Sequence, residues 1–486
     1  IIMNSIIILS TIFMFSFIET VSLNQNPDEV LNLPGLKTKI NFRHFSGYLE
    51  AEDGAFLHYW LFESQRDPTS DPVVFWFNGG PGSSSLLGAL TECGPFRIDS
   101  NETVIMNNFS WNAQANMVFI ESPAGVGFSY KLDRNYTTND DITAQNNYVA
   151  LKSFFKKFPH FEKNPLYISG ESYGGVYVPT LSVKILENHY PKNFKGFVIG
   201  NGAMNFEMLD NSLIHYFYHH ALINDDTWQY LLDTCCPNVK NARYCNFATN
   251  QNPKCNGEIE KISKFFHNNF DRYNIYHWMC FDPINDHAPF SFAKSAGEVG
   301  WITTLQHKNR KNIKCNNDVK FAAPTVDYDA LKRYLNRQKI REALHISSHA
   351  NSHWNLHSEE LIYTPIYQDM TNHVKKLIDG GLKGLLYNGD FDTVCNYLGN
   401  RWYEIINSKS IELNFKATFF CYFRFVENLG YETNTGYLPW KYDNQIGGFR
   451  IRYGKLIYQT IMGAGHMAPM DQPGPLQAMF NEFLEM

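Results

Sequence analysis

The stretch "LYISGESYGGVYVPTLSVKIL", residues 166–186, passes from a short apolar run through a glycine-rich turn into a helical pattern. Its centre, Gly170-Glu171-Ser172-Tyr173-Gly174, is a G-x-S-x-G motif in the strand, turn and helix context that the motif requires. The turn exposes the serine hydroxyl, and the small residues on either side let the strand and the helix pack closely. The sequence therefore predicts Ser172 as a nucleophile, with the Tyr173 amide available to a developing oxyanion.

Other apolar runs of similar length recur along the chain and indicate the fold around this turn. The runs are "VVFWF" (73–77), "MVFIE" (117–121), "FVIGN" (197–201), "GLLYNG" (384–389) and "LIYQTI" (456–461). Helical patterns separate several of them, such as "ITAQNNYVALKSFFKKF" (142–158), in which apolar residues recur every three or four positions. This alternation predicts an α/β fold with a mostly parallel central sheet and helices on both faces.

A serine nucleophile needs a base, and the base needs a carboxylate, which follow in the order Ser, Asp, His in this type of fold. "LLYNGDFDTVCN" places Asp390 and Asp392 just beyond an apolar run. "YQTIMGAGHMAPMDQP" places His466 in a glycine-bounded loop after the last such run. The residues alone predict His466 as the base and leave the choice between Asp390 and Asp392 open.

The stretch "VVFWFNGGPGSSS", residues 73–85, ends an apolar strand in a turn with three glycines. Glycine lets a backbone adopt unusual angles and lets another group approach closely. In folds of this type the second amide of the oxyanion hole comes from an earlier loop between a strand and a helix. The turn is therefore interpreted as the second half of an oxyanion hole.

The composition excludes some classes of function. The chain has 486 residues, of which 44% are hydrophobic and 19% are charged, so it can bury a large core. Its formal net charge of -6 offers no basic face for a phosphate backbone, and we expect no nucleic-acid partner. We expect no cofactor and no metal.

The first residues predict export. "IIMNSIIILSTIFMFSFI" is almost wholly apolar and short, which predicts that residues 1–22 are a secretory signal peptide. After its cleavage we expect no attachment to a membrane. A retained signal anchor is the alternative. Sequons at Asn101, Asn108 and Asn135 agree with a glycoprotein of the secretory pathway.

The pattern changes over residues 205–327, where strand-like runs are absent and six cysteines cluster. This segment is interpreted as a disulfide-rich cap inserted between two parts of the core, residues 23–204 and 328–486. Zinc binding is the alternative, but the adjacent Cys235 and Cys236 lack the C-x-x-C spacing of a structural zinc site. The basic stretch Gln306 to Cys315 is interpreted as an exposed loop where nicking into two chains would be tolerated. Composition alone favours the alternative, a solvated charged face.

Five motifs together resemble the serine carboxypeptidases, and within them the lysosomal, cathepsin A type. They are "WFNGGPGSSS", "ESPAGVGFSY", "ISGESYGGVYVPTL", "YNGDFDTVCNYLGN" and "GAGHMAPMDQP", which stand in family order between about Phe42 and the C-terminus. The resemblance implies an α/β-hydrolase fold and a carboxypeptidase that acts at acid pH through an acyl-enzyme. Its substrates would be peptides with a free C-terminal carboxylate.

The resemblance also implies the roles of nine residues. They are a catalytic triad of Ser172, Asp392 and His466, an oxyanion hole from the amides of Gly80 and Tyr173, and a carboxylate-binding group of Asn78, Gly79, Glu92 and Glu171. Two carboxyls that share a proton titrate as a pair, one with a raised pKa, and can donate a hydrogen bond to a carboxylate at acid pH. We therefore expect Glu92 and Glu171 to favour acid pH.

For the cysteines, the resemblance implies the pairs Cys235 with Cys255, Cys236 with Cys245, and Cys280 with Cys315. The family usually reads "NGGPGCSS", whereas this chain has Ser83, and His357 stands at the position of the partner cysteine. Three cysteines remain unassigned, namely Cys93, Cys395 and Cys421, of which Cys395 matches a free thiol that predicts sensitivity to mercurials.

Two alternatives to a peptidase follow from the same resemblance. Serine-carboxypeptidase-like acyltransferases keep the triad and pass the acyl group to an alcohol. Relatives of the cathepsin A type also protect lysosomal glycosidases within a complex. The resemblance therefore implies a lysosomal or secreted protein, a homodimer and a glycosidase partner.

Overall fold

The computed structural model describes residues 26–277, 326–401, 429–433 and 435–486. The predicted signal peptide, the basic stretch Gln306 to Cys315, and Cys280, Cys315 and Cys421 lie outside these residues. The three sequon asparagines lie within them and are exposed, and their glycosylation stays a prediction.

The strands of the described residues form one large sheet and two small ones. Their bounds are β1 His44–Glu50, β2 Ala55–Phe62, β3 Val73–Phe77, β4 Phe96–Ile98, β5 Val104–Met106, β6 Asn116–Ile120, β7 Tyr130–Lys131, β8 Thr137–Asn139, β9 Leu166–Ser172, β10 Phe194–Gly202, β11 Ile362–Thr364, β12 Lys383–Gly389, β13 Leu438–Tyr442, β14 Gln445–Tyr453 and β15 Leu456–Ile461. The large sheet has the order β1-β2-β6-β3-β9-β10-β12-β15-β14-β13, with β7 beside β2. The pairs β4–β5 and β8–β11 stand apart.

The six central strands, β6, β3, β9, β10, β12 and β15, are parallel, and each contains one of the six apolar runs of the sequence. The predicted mostly parallel α/β sheet is therefore confirmed. The edge strands β1, β2, β13 and β14 pair antiparallel and were not predicted. Strands buried on both faces are continuously apolar, whereas β14 is partly exposed along most of its length and carries no such run.

Helices cover both faces of the sheet, as the sequence predicts. Their bounds are α1 Asp140–Lys157, α2 Gly174–Asn188, α3 Phe206–His219, α4 Asp225–Cys235, α5 Pro253–Asn269, α6 Tyr328–Leu335, α7 Gln338–Ala343, α8 Thr371–Asp379, α9 Tyr397–Arg401, α10 Ala468–Asp471 and α11 Pro473–Glu485. None of the helices in the described ranges has the length and apolar content needed to cross a membrane.

The sheet separates two apolar cores. One contains Phe154 of α1 and Leu181 of α2, both fully buried. The other contains Trp76, Trp111 and Phe480, and the last two stack with ring centroids 3.9 Å apart. The second core fixes α11 to the sheet, and with it the loop that precedes this helix.

A third apolar cluster joins α3, α4 and α5 above the carboxyl ends of the central strands. Disulfides Cys235–Cys255 and Cys236–Cys245, with S–S distances of 2.04 and 2.09 Å, staple α4 to this cluster. Both pairs are those that the resemblance implied. The division of the chain into core and cap segments stays a prediction.

Candidate active site

The turn at Ser172 lies where β9 ends and α2 begins. Ser172 has a left-handed backbone with a φ of +62°, a conformation that non-glycine residues adopt only under constraint. The motif glycines permit the tight packing behind it: a Cβ at Gly170 would lie 2.6 Å from Phe77 O, and one at Gly174 would lie 3.0 Å from the same oxygen. The sheet thus holds the serine in a strained, projecting position.

Asp392 and His466 meet at the carboxyl ends of β12 and β15. The distance from His466 Nδ1 to Asp392 Oδ2 is 2.7 Å, and both side chains are buried. Three further donors reach the carboxylate: Asn201 Nδ2 at 2.9 Å, Val394 N at 2.8 Å and Cys395 N at 3.2 Å. Such a set of donors stabilises the negative charge of Asp392 and orients the imidazole.

Asp390, the alternative that the sequence left open, points elsewhere. It accepts a 2.8 Å hydrogen bond from Gly463 N, in the loop before His466. Burial raises the pKa of Asp390 to about 7, against the lowering effect of the bond from Gly463. The structure therefore places Asp392, and not Asp390, against the imidazole.

A segment that follows α5, residues 271–277, connects the two loops that carry this pair. His466 N donates to Tyr273 O at 2.6 Å. Thr393, beside Asp392, donates to Arg272 O from its amide at 3.0 Å and from its hydroxyl at 2.8 Å. Backbone of the predicted cap thus fixes the separation of the acid and the base.

The same segment places a cation beside the histidine loop. His277 lies 3.2 Å from Asp271 and 3.4 Å from Asp471. Burial disfavours its charge, but its hydrogen bond to Asp271 and its ion pair with Asp471 outweigh burial and raise the pKa of His277 to about 9. Asp471 also accepts a 2.7 Å bond from Gly465 N, next to His466.

The glycine turn after β3 packs directly on the serine turn. A Cβ at Gly79 would lie 2.2 Å from Tyr173 N and 2.8 Å from Ser172 Cβ, so only glycine fits there. Gly80 has a φ of +113°, which also requires glycine. The two turns that were predicted to supply the oxyanion hole are therefore in contact.

Asn78 organises the start of this turn through four hydrogen bonds. Its side-chain oxygen accepts hydrogen bonds from Trp76 Nε1 at 2.7 Å and from Gly88 N at 3.1 Å. Its backbone N donates to Ser85 Oγ at 3.0 Å. Its Nδ2 donates to Glu92 Oε1 at 3.0 Å. These bonds place Glu92 beside the turn, although it is distant in the sequence.

Glu92 and Glu171 form a buried acidic pair next to Ser172. Both are nearly inaccessible, and Oε2 of each has no donor among the residues that the structure describes. Burial, followed by the negative charge of the neighbouring Glu92, raises the pKa of Glu171 well above its usual range. Two neighbouring buried carboxyls favour a proton on one of them, because two negative charges repel each other.

Two cysteine thiols lie near this site. Cys93 and Cys395 are buried and carry no disulfide to another described residue. Cys395 Sγ lies with ligand atoms of Asp392 and His466 in a group whose atoms are within 4.8 Å of one another. Burial raises the pKa of the Cys395 thiol well above its usual range, which disfavours the thiolate that binds metals and mercurials.

Ser83 and His357, the two positions at which this chain departs from the pattern that it resembles, are in contact. Ser83 Oγ and His357 Nδ1 lie 2.9 Å apart, and the two residues form an isolated antiparallel bridge. A hydrogen bond thus joins the two positions at which the resemblance implies cysteines.

Sequence reasoning missed Asn201 and Asp471. Asn201 is the penultimate residue of β10, at the same sheet edge as Ser172, and polar residues at the carboxyl ends of parallel strands are candidates for a site. That signal was present for Asn201. Asp471 sits in a short helix after His466, and no local pattern relates it to His277.

The comparisons with known proteins agree with this geometry. The family model described as serine carboxypeptidase matches residues 34–486. A lysosomal protective protein of Mus musculus is 36% identical, with 98% of each chain covered. A serine carboxypeptidase of Caenorhabditis elegans is 35% identical, with 94% of this chain and 93% of that protein covered. The crystal structure of Kex1(delta)p, a prohormone-processing carboxypeptidase from Saccharomyces cerevisiae, shares the fold with a TM-score of 0.67 at 19% identity, covering 95% of this chain and 97% of its own.

Proposed function

The chain belongs to the serine carboxypeptidase family and is a serine-type peptide hydrolase, and on that premise we propose that it releases C-terminal amino acids at acid pH through an acyl-enzyme on Ser172. The observation that supports the acid optimum is the buried pair of Glu92 and Glu171 beside the serine turn. A protonated carboxyl there donates a hydrogen bond to the terminal carboxylate of a peptide.

In the first chemical step, Ser172 Oγ attacks the carbonyl carbon of the last peptide bond. His466 Nε2 accepts the hydroxyl proton, while Asp392 holds the imidazole through Nδ1 and stabilises its positive charge. The negative oxygen that forms accepts hydrogen bonds from the amides of Gly80 and Tyr173. His466 then gives its proton to the leaving amine, and the terminal amino acid departs.

In the second step, water attacks the acyl-enzyme. His466 takes one proton from the water and returns a proton to Ser172 Oγ as the carbon–oxygen bond to the serine breaks. The shortened peptide leaves with a new carboxylate, and the enzyme regains its starting state.

The terminal carboxylate of the substrate is the group that fixes the position of cleavage. We assign its binding to Asn78, the Gly79 amide, Glu92 and Glu171. When the pH rises and the acidic pair loses its shared proton, two negative charges face the substrate carboxylate. Binding of the substrate therefore weakens as the pH rises.

Release of leucine from the blocked dipeptide Z-Phe-Leu between pH 4 and 8 tests this function. The expected result is a maximum at acid pH and no release by Ser172→Ala. Activity that rises towards pH 8 would contradict the acid optimum. If the folded wild-type protein releases nothing, transfer of an acyl group from an ester to an alcohol is the next activity to measure.

We also propose a lysosomal or secreted location, a homodimer and a partner among the lysosomal glycosidases. The similarity to a lysosomal protective protein over nearly the whole chain supports the location. Purification from its own cells tests the partner: a glycosidase should co-purify to the same extent with Ser172→Ala as with the wild type. Purification without any glycosidase, and as a monomer, would contradict both partners.

A further inference from the structure

Both turns assigned to the oxyanion hole contact one stretch of chain, residues 356–367, which lies between α7 and α8. We propose that this segment is a positioning element that sets the two oxyanion amides relative to each other, with His357 and Tyr363 as its positioning residues. The proposal rests on the oxyanion hole assigned above, and neither residue is placed against the reacting atoms.

The first contact is with the turn that contains Gly80. Ser83 and His357 face each other as an antiparallel pair, and Ser84 N donates to Leu356 O at 2.9 Å on one side of them. Ser358 N makes an equivalent 2.9 Å bond on the other side. Between these bonds the two side chains share the 2.9 Å contact of Ser83 Oγ with His357 Nδ1.

This pair is close enough to Gly80 to affect its amide. A Cβ at Gly80 would lie 2.7 Å from Ser83 N and 2.9 Å from Ser83 Oγ, so Ser83 packs on the Gly80 backbone. Gly80 has a positive φ and no side chain to anchor it. Its orientation therefore depends on its neighbours, and His357 contacts one of them, Ser83.

The second contact is with the turn that contains Tyr173. Tyr173 donates from its hydroxyl to Asp140 Oδ1 at 2.8 Å, and Tyr363 donates to the same oxygen at 2.7 Å. The other oxygen, Oδ2, accepts the amides of Ile366 at 2.6 Å and Tyr367 at 2.9 Å. The buried Asp140 thus ties Tyr173 to the 356–367 segment.

The two contacts lie only a few residues apart on one segment. An oxyanion hole works because its donors are fixed where the charge develops, and a displacement of about 1 Å can cost on the order of a hundredfold in rate. Loss of either contact should therefore lower kcat. It should leave KM almost unchanged, since the oxyanion exists only after attack.

The primary test compares His357→Ala and Tyr363→Phe with the control His353→Ala. His353 is exposed in the same loop, and its Nδ1 contacts Oγ of the neighbouring Ser352. We expect kcat on Z-Phe-Leu to fall about tenfold in each test variant, with KM within about twofold. Inhibition by a peptide aldehyde, whose adduct places an oxyanion in the hole, should weaken by the same factor. The control should match the wild type.

A merely structural tie predicts a different result. It would lower the fraction of active protein and the thermal midpoint, while the folded enzyme would keep its kcat and its affinity for the aldehyde. Each variant is therefore normalised by titration of active sites. Unchanged kcat in both normalised variants would overturn the proposal.

A cystine at the same place provides the rescue. In an antiparallel pair flanked by the bonds of its neighbours, Cα atoms lie about 4.5 Å apart, which is within the span of a disulfide, about 4.4 to 6.8 Å. The double variant Ser83→Cys, His357→Cys should regain wild-type kcat when oxidised and lose it under a mild reductant that leaves the wild type unaffected. Failure of the oxidised form to regain kcat would count against a positioning role.

The labelling rate of Ser172 by a fluorophosphonate separates this inference from the proposed function. If the wild type cleaves no peptide, the function is wrong, yet slower labelling of His357→Ala and Tyr363→Phe than of His353→Ala would still support the positioning role. Equal labelling rates would overturn the positioning role, whether or not the wild type cleaves peptides.

Discussion

Two buried carboxyl groups near Ser172, those of Asp392 and Glu171, have opposite surroundings. Asp392 accepts four hydrogen bonds, including those from His466 and Asn201. Glu171 has one oxygen without a donor among the described residues and lies against a second acid, Glu92. Both side chains are buried, so their surroundings differ in the hydrogen-bond donors that reach them and in the charge that lies beside them.

The comparison assigns one charge state to each role. In the proposed mechanism, Asp392 stabilises the imidazolium that forms when His466 accepts a proton. In the same proposal, a protonated Glu171 donates to the carboxylate of the substrate and spares it a negative neighbour. The two acids are thus proposed to have opposite roles within one site.

The largest expected effect comes from removing the charge of Asp392. Asp392→Asn should lower kcat by about 10⁴-fold, because the amide stabilises the wrong tautomer of His466 and no imidazolium. Asp390→Asn is the matched control, since Asp390 bonds to Gly463 N instead of the imidazole. Steady-state kinetics on Z-Phe-Leu would measure both. An equal loss in the two variants would contradict the assignment of Asp392.

The second effect concerns the acidic pair. Because the pKa of Glu171 is raised, the proton is present at low pH and is lost as the pH rises, so KM for Z-Phe-Leu should increase towards alkaline pH. A charged hydrogen bond of about 3 kcal/mol corresponds to roughly a hundredfold change. The double variant Glu92→Gln, Glu171→Gln should lose this rise.

The amidated substrate Z-Phe-Leu-NH₂ is the control for this prediction. It has no terminal charge to repel, so its KM should not follow the titration of the pair. A double variant that kept the wild-type pH profile on the acid substrate would refute the role of the pair.

A smaller effect should follow from removing one donor to Asp392. Asn201→Ala deletes the 2.9 Å bond to Oδ2 and leaves the other three. A bond to a charged group contributes about 1.5 kcal/mol, so kcat should fall about tenfold. Asn400→Ala is a control, because Asn400 is a buried amide that bonds to Gly202 O and not to Asp392. Equal losses in kcat would mean that the defect is one of packing.

The smallest effect concerns a third acid, Asp471, which has a cation as its neighbour. The folded-state pKa of His277 is raised from 6.5 to about 9, so the stability from its charge is complete below pH 6.5 and is lost as the pH rises through 9. The thermal midpoint of the wild type should fall over this window, and that of His277→Gln should fall less. His353→Gln, at an exposed position, should behave like the wild type. If the thermal midpoints of all three proteins fell equally with pH, the charge of His277 would not contribute to stability.

The sequence predicted the centre of the fold better than its edges. Six apolar runs correspond to the six parallel strands, because strands covered on both faces need continuous apolar side chains. The turn at Ser172 was also predictable, because its local packing requires particular residues: Gly170 and Gly174 lie too close to Phe77 O for larger side chains. Of the antiparallel strands, β1, β13 and β14 carry mixed patterns and escaped prediction. β2 is buried and almost wholly apolar, yet it was also not predicted.

Contacts between distant parts of the chain were beyond local patterns. Glu92 lies beside Glu171 and accepts a hydrogen bond from Asn78, and nothing near Glu92 in the sequence shows this. The residues alone did not separate Asp390 from Asp392. The two lie in one loop and differ in what their side chains contact, Gly463 N for Asp390 and His466 for Asp392. The resemblance to a family supplied what physical reasoning on the residues left open.

The place of β15 in the sheet bears on the synthesis of the protein. β15 comes late in the chain, yet it lies between β12 and β14, and His466 follows it directly. A nascent chain that has left the ribosome only as far as α9 already contains Ser172 and Asp392, but it lacks His466. The proposed triad is therefore incomplete until the last part of the chain has been made and β15 has taken its place between β12 and β14.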